Sequence, residues 1–285
     1  MRFYIVIPAH NEADFIGSTL QSLINQSLRP TKIVVVDDHS SDKTAEIVTN
    51  LSKQHPWISL VSNTSSEEHL PGEKIITAFY KGYDSLDSEY DVICKFDADV
   101  IFPQNYLETL AQHYTNNTKL GMVAGHCYIE KQGQWVFENI ASKSHIRGPI
   151  KSYRNECFEQ IGGLKNSIGW DTIDELLALY YGWEFETDAS LQVKHLKPTG
   201  ANYNKSAKYL QGTALYKMRY GFVLAFLSGL KLAYKKRRIF LLRNYILGYI
   251  KAANQNEAFL IDKDQGAFVR AYRWKNIKRK FRLLR

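Results

Sequence analysis

The sequence predicts an α/β protein with a mostly parallel sheet flanked by helices. Two observations carry that prediction. Short β-branched apolar runs recur at 2–8, 32–38, 57–63 and 91–99. The stretches between them place apolar residues at helical spacing. Such alternation implies right-handed βαβ units and a parallel sheet.

The elements follow in order. RFYIVIP (2–8) reads as a buried strand, and 12–27 as a helix with Phe15, Ile16, Leu20, Leu23 and Ile24 on one side. KIVVVDD (32–38) is the second strand; Ser40 or Ser41 is placed to cap a helix over about 42–53. WISLVSN (57–63) is the third strand. The helix 72–86 carries Ile75, Ile76, Phe79 and Tyr83 on one side, and DVICKFDAD (91–99) is the fourth strand. Pro103 starts another helix. Beyond 120 the pattern loosens: GMVAGHCYIE reads as a strand, NECFEQIGGL as a short helix stopped by Gly162-Gly163, WDTIDELLALYYGW (170–183) as a helix with an acidic start, and LQVKHLKPTG (191–200) as a strand with a Pro/Gly stop.

In a parallel sheet, ligands sit outside the carboxyl ends of the strands. That puts Pro8-Ala9-His10-Asn11-Glu12, Asp37-Asp38 and Asp97/Asp99 on one rim. Asp97 and Asp99 end a buried strand, separated by one alanine. Like charges at close range repel, and a shared divalent cation removes the penalty. Mg²⁺ or Mn²⁺ favours carboxylate oxygens and is often completed by substrate phosphates. The pair would then bind a metal, and the metal a diphosphate; alternatively, two acids solvate a strand end. Asp37-Asp38 could accept hydrogen bonds from a base imide or ribose hydroxyls, or serve turn chemistry.

The charge is unevenly placed. Residues 1–204 carry 17 Lys/Arg against 26 Asp/Glu, a balance of −9, whereas 205–285 carry 20 against 3, a balance of +17. Such asymmetry suggests a body and a basic segment that meets an anionic surface. Within that segment, Phe222, Leu224, Phe226, Leu227 and Leu230 interleave with cations such as KKRR at 235–238. That pattern favours an interfacial amphipathic helix over a nucleic-acid site. The longest nearly uncharged run, 220–230, is shorter than the roughly 20 residues a bilayer span needs. Cys94, Cys127 and Cys157 form neither a disulfide framework nor a zinc pattern and read as reduced thiols.

VIPAHNE, VVVDDHSSDKT, the Gly72-x-Lys74…Lys81-Gly82 helix, FDADV, IGGL and the helix at 170–183 occur in that order. Together they resemble the family 2 glycosyltransferases, over about residues 2–200. The resemblance implies a Rossmann-like GT-A (nucleotide-diphospho-sugar transferase) fold in 1–204, with a nucleotide-binding half at about 1–100 and an acceptor half at about 101–204. A basic amphipathic helical region follows at 205–285. It implies an inverting transfer of a sugar from a UDP- or GDP-linked donor to a hydroxyl of a glycan or lipid-linked acceptor, assisted by Mn²⁺ or Mg²⁺. Pro8, Ala9 and Glu12 would lie against the nucleotide, with Asp38 near the base, Asp37 behind it and Lys74 near the phosphates. Asp97 would face ribose and metal, Asp99 would ligate the metal, and His195 resembles the late histidine that approaches it. Counting back eleven positions from Gly182 gives Asp171 as the base, with Asp174 second; Trp170 stands where the family usually has Glu. Asp171 and Asp174 would equally serve as N-cap and first turn of their helix.

Two other readings stand beside this one. A sugar nucleotidyltransferase shares the architecture but favours a glycine-rich basic first loop, whereas PAHNEAD is acidic. A non-catalytic protein binding nucleotide sugars or an anionic surface is kept open by Trp170. The expected setting is cytoplasmic, peripheral on the inner face of the cell membrane.

Overall fold

A computed structural model describes residues 1–64, 72–197 and 209–282. The chain forms two compact units: residues 1–69, 74–164 and 181–201, and residues 70–73, 165–180 and 202–285.

The first unit holds the sheet. Its nine strands among the described residues are β1 (Phe3–Ala9), β2 (Lys32–Asp38), β3 (Ile58–Asn63), β4 (Val92–Phe96), β5 (Val100–Ile101), β6 (Leu120–Lys131), β7 (Gln134–Phe137), β8 (Ile150–Arg154) and β9 (Glu184–His195). They run in the order β3-β2-β1-β4-β8-β6-β9-β5, with β7 on β6. The first four are mutually parallel. β1 and β4 are buried nearly end to end, as expected of strands covered on both faces. Helices α1 (Ile16–Ile24), α2 (Thr44–Gln54) and α3 (Glu73–Tyr83) follow β1, β2 and β3. α1 buries Ile16, Leu20 and Leu23, one helical stripe. The other half of the sheet is mixed: β4–β8, β8–β6 and β5–β9 are antiparallel, and β6–β9 is parallel. α4 (Tyr106–Asn116) and α5 (Asn155–Gln160) complete this unit.

α3 sits directly on the parallel sheet at Gly82. A Cβ there would lie 2.6 Å from Val36 Cγ2 and 2.7 Å from Val6 Cγ1. Gly82→Ala is therefore expected to lower stability by about 1–3 kcal/mol through overpacking. Denaturant midpoints measure it; an unchanged midpoint would show that the helix can lift off.

The structure corrects several local expectations. α1 begins at Ile16, not residue 12, because Glu12 to Asp14 belong to the loop after β1. Ser40 and Ser41 do not cap α2. Ser40 Oγ accepts from the Asn11 amide and the Ser41 amide donates to Asn11 Oδ1, while Asp42 Oδ1 accepts from the Thr44 amide. Both Gly162 (φ 68°) and Gly163 (φ 64°) take left-handed backbone after α5, and so stop it as expected. The Pro198-to-Gly200 stop and the boundary at 204 lie outside the described residues. The three cysteines are buried and none forms a disulfide.

The second unit comprises α6 (Trp170–Tyr180), α7 (Leu210–Lys217), α8 (Phe222–Lys236), α9 (Phe240–Asn254) and α10 (Lys263–Arg282). Tyr180 of α6 meets Phe268 of α10 edge-on, with ring centres 5.5 Å apart. The helix expected to carry the base thus groups with the C-terminal helices. Among the described residues, no helix is long and apolar enough to cross a membrane.

Candidate active site

The carboxyl ends of β1 and β2 turn sharply and are stitched together. Asn11 (φ 54°) and His39 (φ 58°) adopt left-handed backbone just beyond the two strands. The amides of Asn11, Glu12 and Ala13 donate to Ser40 Oγ (2.9 Å), Thr44 Oγ1 (2.8 Å) and Asp42 Oδ2 (3.0 Å). His10 Nδ1 lies 2.7 Å from the Asp38 carbonyl oxygen, which accepts its proton. These bonds fix one side of a cavity of about 610 Å³. Pro8, Ala9, Glu12, Asp38, Lys74, Asp97 and Asp99 all line it, together with His10 and His39. Lys74 enters from the first turn of α3. Asp37 is absent from the lining: it is buried, and its Oδ1 has no hydrogen-bond partner. Asp38 Oδ1 accepts from Asn63 Nδ2 at 2.8 Å.

The two acids after β4 have different surroundings. Asp97 Oδ1 accepts from Lys95 Nζ, a fully buried ammonium that also donates to the Gly148 carbonyl at 3.3 Å. Between them, the Ala98 carbonyl is held by Thr19 Oγ1 at 2.7 Å. Asp99 is buried, and its carboxyl is pushed up to about 7, first by desolvation and then by the charge of Asp97. Strand β9 covers it: Val100 pairs with His195, and the Leu196 amide donates to the Asp99 carbonyl at 2.9 Å. His195 Nδ1 lies 3.1 Å from Glu138 Oε2, and its Nε2 lies 3.7 Å from Asp99 Oδ2. Glu138 is itself held by Arg147 at 2.9 Å. Burial works to lower the His195 pKa, but Glu138 and Asp99 outweigh it and the net shift is upward. Glu12 is raised, chiefly by burial, although Lys197 Nζ donates to its Oε2 at 2.6 Å.

A divalent cation here would find carboxylate oxygens from Asp97 and Asp99. Among the described residues no group of three His, Cys, Asp or Glu is drawn together around a metal position. Asp97 and Asp99 nevertheless share one wall of the cavity, and ionising Asp99 is opposed by burial and by its neighbour. A cation would remove both penalties, and oxygen donors from a substrate could complete its shell. With Nδ1–H donated to Glu138, His195 turns Nε2 toward Asp99.

Asp171 and Asp174 lie in the second unit, on α6. Asp171 is in the first turn and half-buried, one residue past the start at Trp170, so it is no N-cap. Asp174 is 1% exposed, and its Oδ1 accepts from the Glu175 amide at 2.7 Å. Lys95, Glu138 and Lys197 are missing from the expected set. A lysine between Cys94 and Phe96 in an otherwise apolar strand is a signal for Lys95. Glu138 carries none, because it reaches His195 through its amide bond to the Cys127 carbonyl and the pairing of β6 with β9.

The model of a family described as Glycosyl transferase family 2 matches residues 4–164, more than half of the chain. The chain belongs to that family. Among curated relatives of this transferase, it is 29% identical over 203 residues to a probable glycosyltransferase, YdaM, of Bacillus subtilis, covering 61% of this chain and 43% of that one. It is 29% identical over 129 residues to the GalNAc(5)-diNAcBac-PP-undecaprenol beta-1,3-glucosyltransferase of Campylobacter jejuni, covering 45% and 39%. The chain thus spans less than half the length of these relatives. Among solved structures, the mannosyltransferase PcManGT from Pyrobaculum calidifontis, in complex with GDP-Man and Mn²⁺, superimposes with a TM-score of 0.58 at 18% identity, over 99% of this chain and 82% of that one. That likeness establishes the GT-A fold expected from the sequence.

Proposed function

We propose that this transferase moves a sugar from a UDP- or GDP-linked donor to a hydroxyl of a glycan or lipid-linked acceptor, inverting the anomeric configuration. The observation that carries the reading is the single cavity into which Pro8, Ala9, Glu12, Asp38, Lys74, Asp97 and Asp99 converge. Asp38 offers a carboxylate to the nucleoside, and Lys74 offers a cation to the phosphates. Family membership argues against the nucleotidyltransferase reading. Mn²⁺ or Mg²⁺, held by Asp97 and Asp99 with His195 alongside, would neutralise the charge of the departing diphosphate. Asp171 is assigned as the base that takes the proton of the attacking hydroxyl, with Asp174 second. One displacement needs no covalent nucleophile, and the buried cysteines are unsuited to that role. Peripheral contact of the basic C-terminal region with an anionic membrane would serve a lipid-linked acceptor.

A melting-temperature screen of UDP- and GDP-sugars, with and without Mn²⁺, tests the donor assignment. A ligand that binds the native state raises the melting temperature, by mass action. The cognate nucleotide sugar is expected to shift it only when Mn²⁺ is present. Indifference to every nucleotide sugar under both conditions would overturn the reading.

A further inference from the structure

Helix α8 has a partly inverted pattern: apart from Leu224 its buried residues are small, and several of its bulky apolar residues face outward. The inner stripe of α8 is Ala225, Gly229 and Ala233, four residues apart, and α9 buries Gly248 and Ala252. The fit leaves no room for side chains. A Cβ on Gly229 would lie 2.9 Å from Tyr245 Cβ of α9, and one on Gly248, on the side of α9 that packs against α7, only 2.1 Å from the Tyr209 carbonyl oxygen. Consequently several large apolar residues are left outside. Val223, Phe226, Leu230 and Tyr234 form one exposed helical stripe on α8, reaching 87% exposure at Tyr234. Ile239 (74%) and Phe240 (52%) continue the exposed apolar surface past the turn. The sequence reading had Leu224 on the outer face, but it is buried.

A water-facing helix hairpin ordinarily has the opposite arrangement. Close packing through small residues, with bulky side chains outward, is the arrangement of helices whose surroundings are apolar. The charge pattern names the surroundings. The turn between the helices presents Lys235, Lys236, Arg237 and Arg238, all exposed, and no Asp or Glu occurs from 205 to 256. A second copy would bring a like-charged face against this one. The aliphatic members of the stripe have no ring to stack on a nucleobase.

We infer that the outer face of the α8–α9 hairpin is a docking surface for an anionic lipid bilayer, its apolar stripe sunk into one leaflet and the 235–238 turn held at the headgroups. This deepens the peripheral-contact reading. It rests on the C-terminal helices alone, not on the chemistry of the cavity. Helices of this kind lie in the interface rather than crossing it.

The test is co-sedimentation of the full chain with vesicles of phosphatidylglycerol and phosphatidylcholine, against vesicles of phosphatidylcholine alone. Wild type is expected to pellet with the anionic vesicles. The pair Phe226→Asp/Leu230→Asp is expected to weaken that partitioning about tenfold or more, at unchanged melting temperature, because both side chains are exposed. The set Lys235→Gln/Lys236→Gln/Arg237→Gln/Arg238→Gln should lose it comparably. Donor hydrolysis without vesicles should be the same in all three proteins. Its absence from all three would count against the transferase reading and leave the surface standing. Wild type that stays in the supernatant, or apolar variants that pellet as well as wild type, would overturn the surface. So would a dimer in solution that the Asp pair dissociates, or displacement from vesicles by a single-stranded oligonucleotide but not by salt.

Discussion

Asp99→Asn is expected to reduce sugar transfer by about a hundredfold or more while leaving the fold intact. On the proposed reading Asp99 would hold the cation that neutralises the departing diphosphate, and the magnitude is that of losing such an electrostatic contact. The fold should survive for a reason visible in the site: Asp99 is a buried carboxyl whose ionised form is opposed by burial and by Asp97. Removing its charge takes away that penalty. The ligand-free variant should therefore melt no lower than wild type, but lose the Mn²⁺-dependent stabilisation by donor. Asp97→Asn should behave differently. Asp97 is the carboxylate to which the buried Lys95 ammonium donates, so its loss is expected to lower stability by about 1–3 kcal/mol as well as activity. Two variants with identical melting temperatures would refute this division of roles between the acids.

The second large effect is at Asp171. Asp171→Asn is expected to lower kcat by about 10²–10⁴-fold, the usual contribution of a positioned base, with little change in KM for the donor. Asp174→Asn is the control. Asp174 is buried and accepts from the Glu175 amide, so its neutral isostere keeps an acceptor in place. If Asp171 is the base, the Asp174 variant should retain most of its kcat and the loss should follow Asp171. A reversed result would move the base to Asp174 without disturbing the donor site, whose residues lie in the other unit.

The parallel half of the sheet was readable because each strand is an apolar run buried on both faces and followed by a helix of matching period. KIVVVDD occupies residues 32–38 in both the sequence reading and the structure. The rim followed from topology, and so did the gathering of Glu12, Asp38, Asp97 and Asp99. The mixed half was less legible. Ile150–Arg154 hides a buried lysine, Lys151, opposite Lys95, and a charged five-residue run does not read as a central strand. β9 starts at Glu184, well before the expected 191, because its first residues alternate and are largely exposed. The C-terminal helices misled in another way. Of the apolar residues read as an interfacial set, Phe222, Phe226 and Leu230 are exposed but Leu224 is buried beside Ala225 and Gly229, because a list of apolar residues does not separate the inner face from the outer one.

The pairing of Val100 with His195 joins positions 95 residues apart. The segment that the family model matches ends at residue 164, before β9 begins. As the chain leaves the ribosome, Asp97 and Asp99 emerge long before the strand that roofs them. Non-local pairings of this span are slow to form. A nascent chain stopped short of residue 184 would carry the loops after β1 and β2 but no strand over Asp99. Under the proposed function, the cation site would be complete only once the late strand has docked.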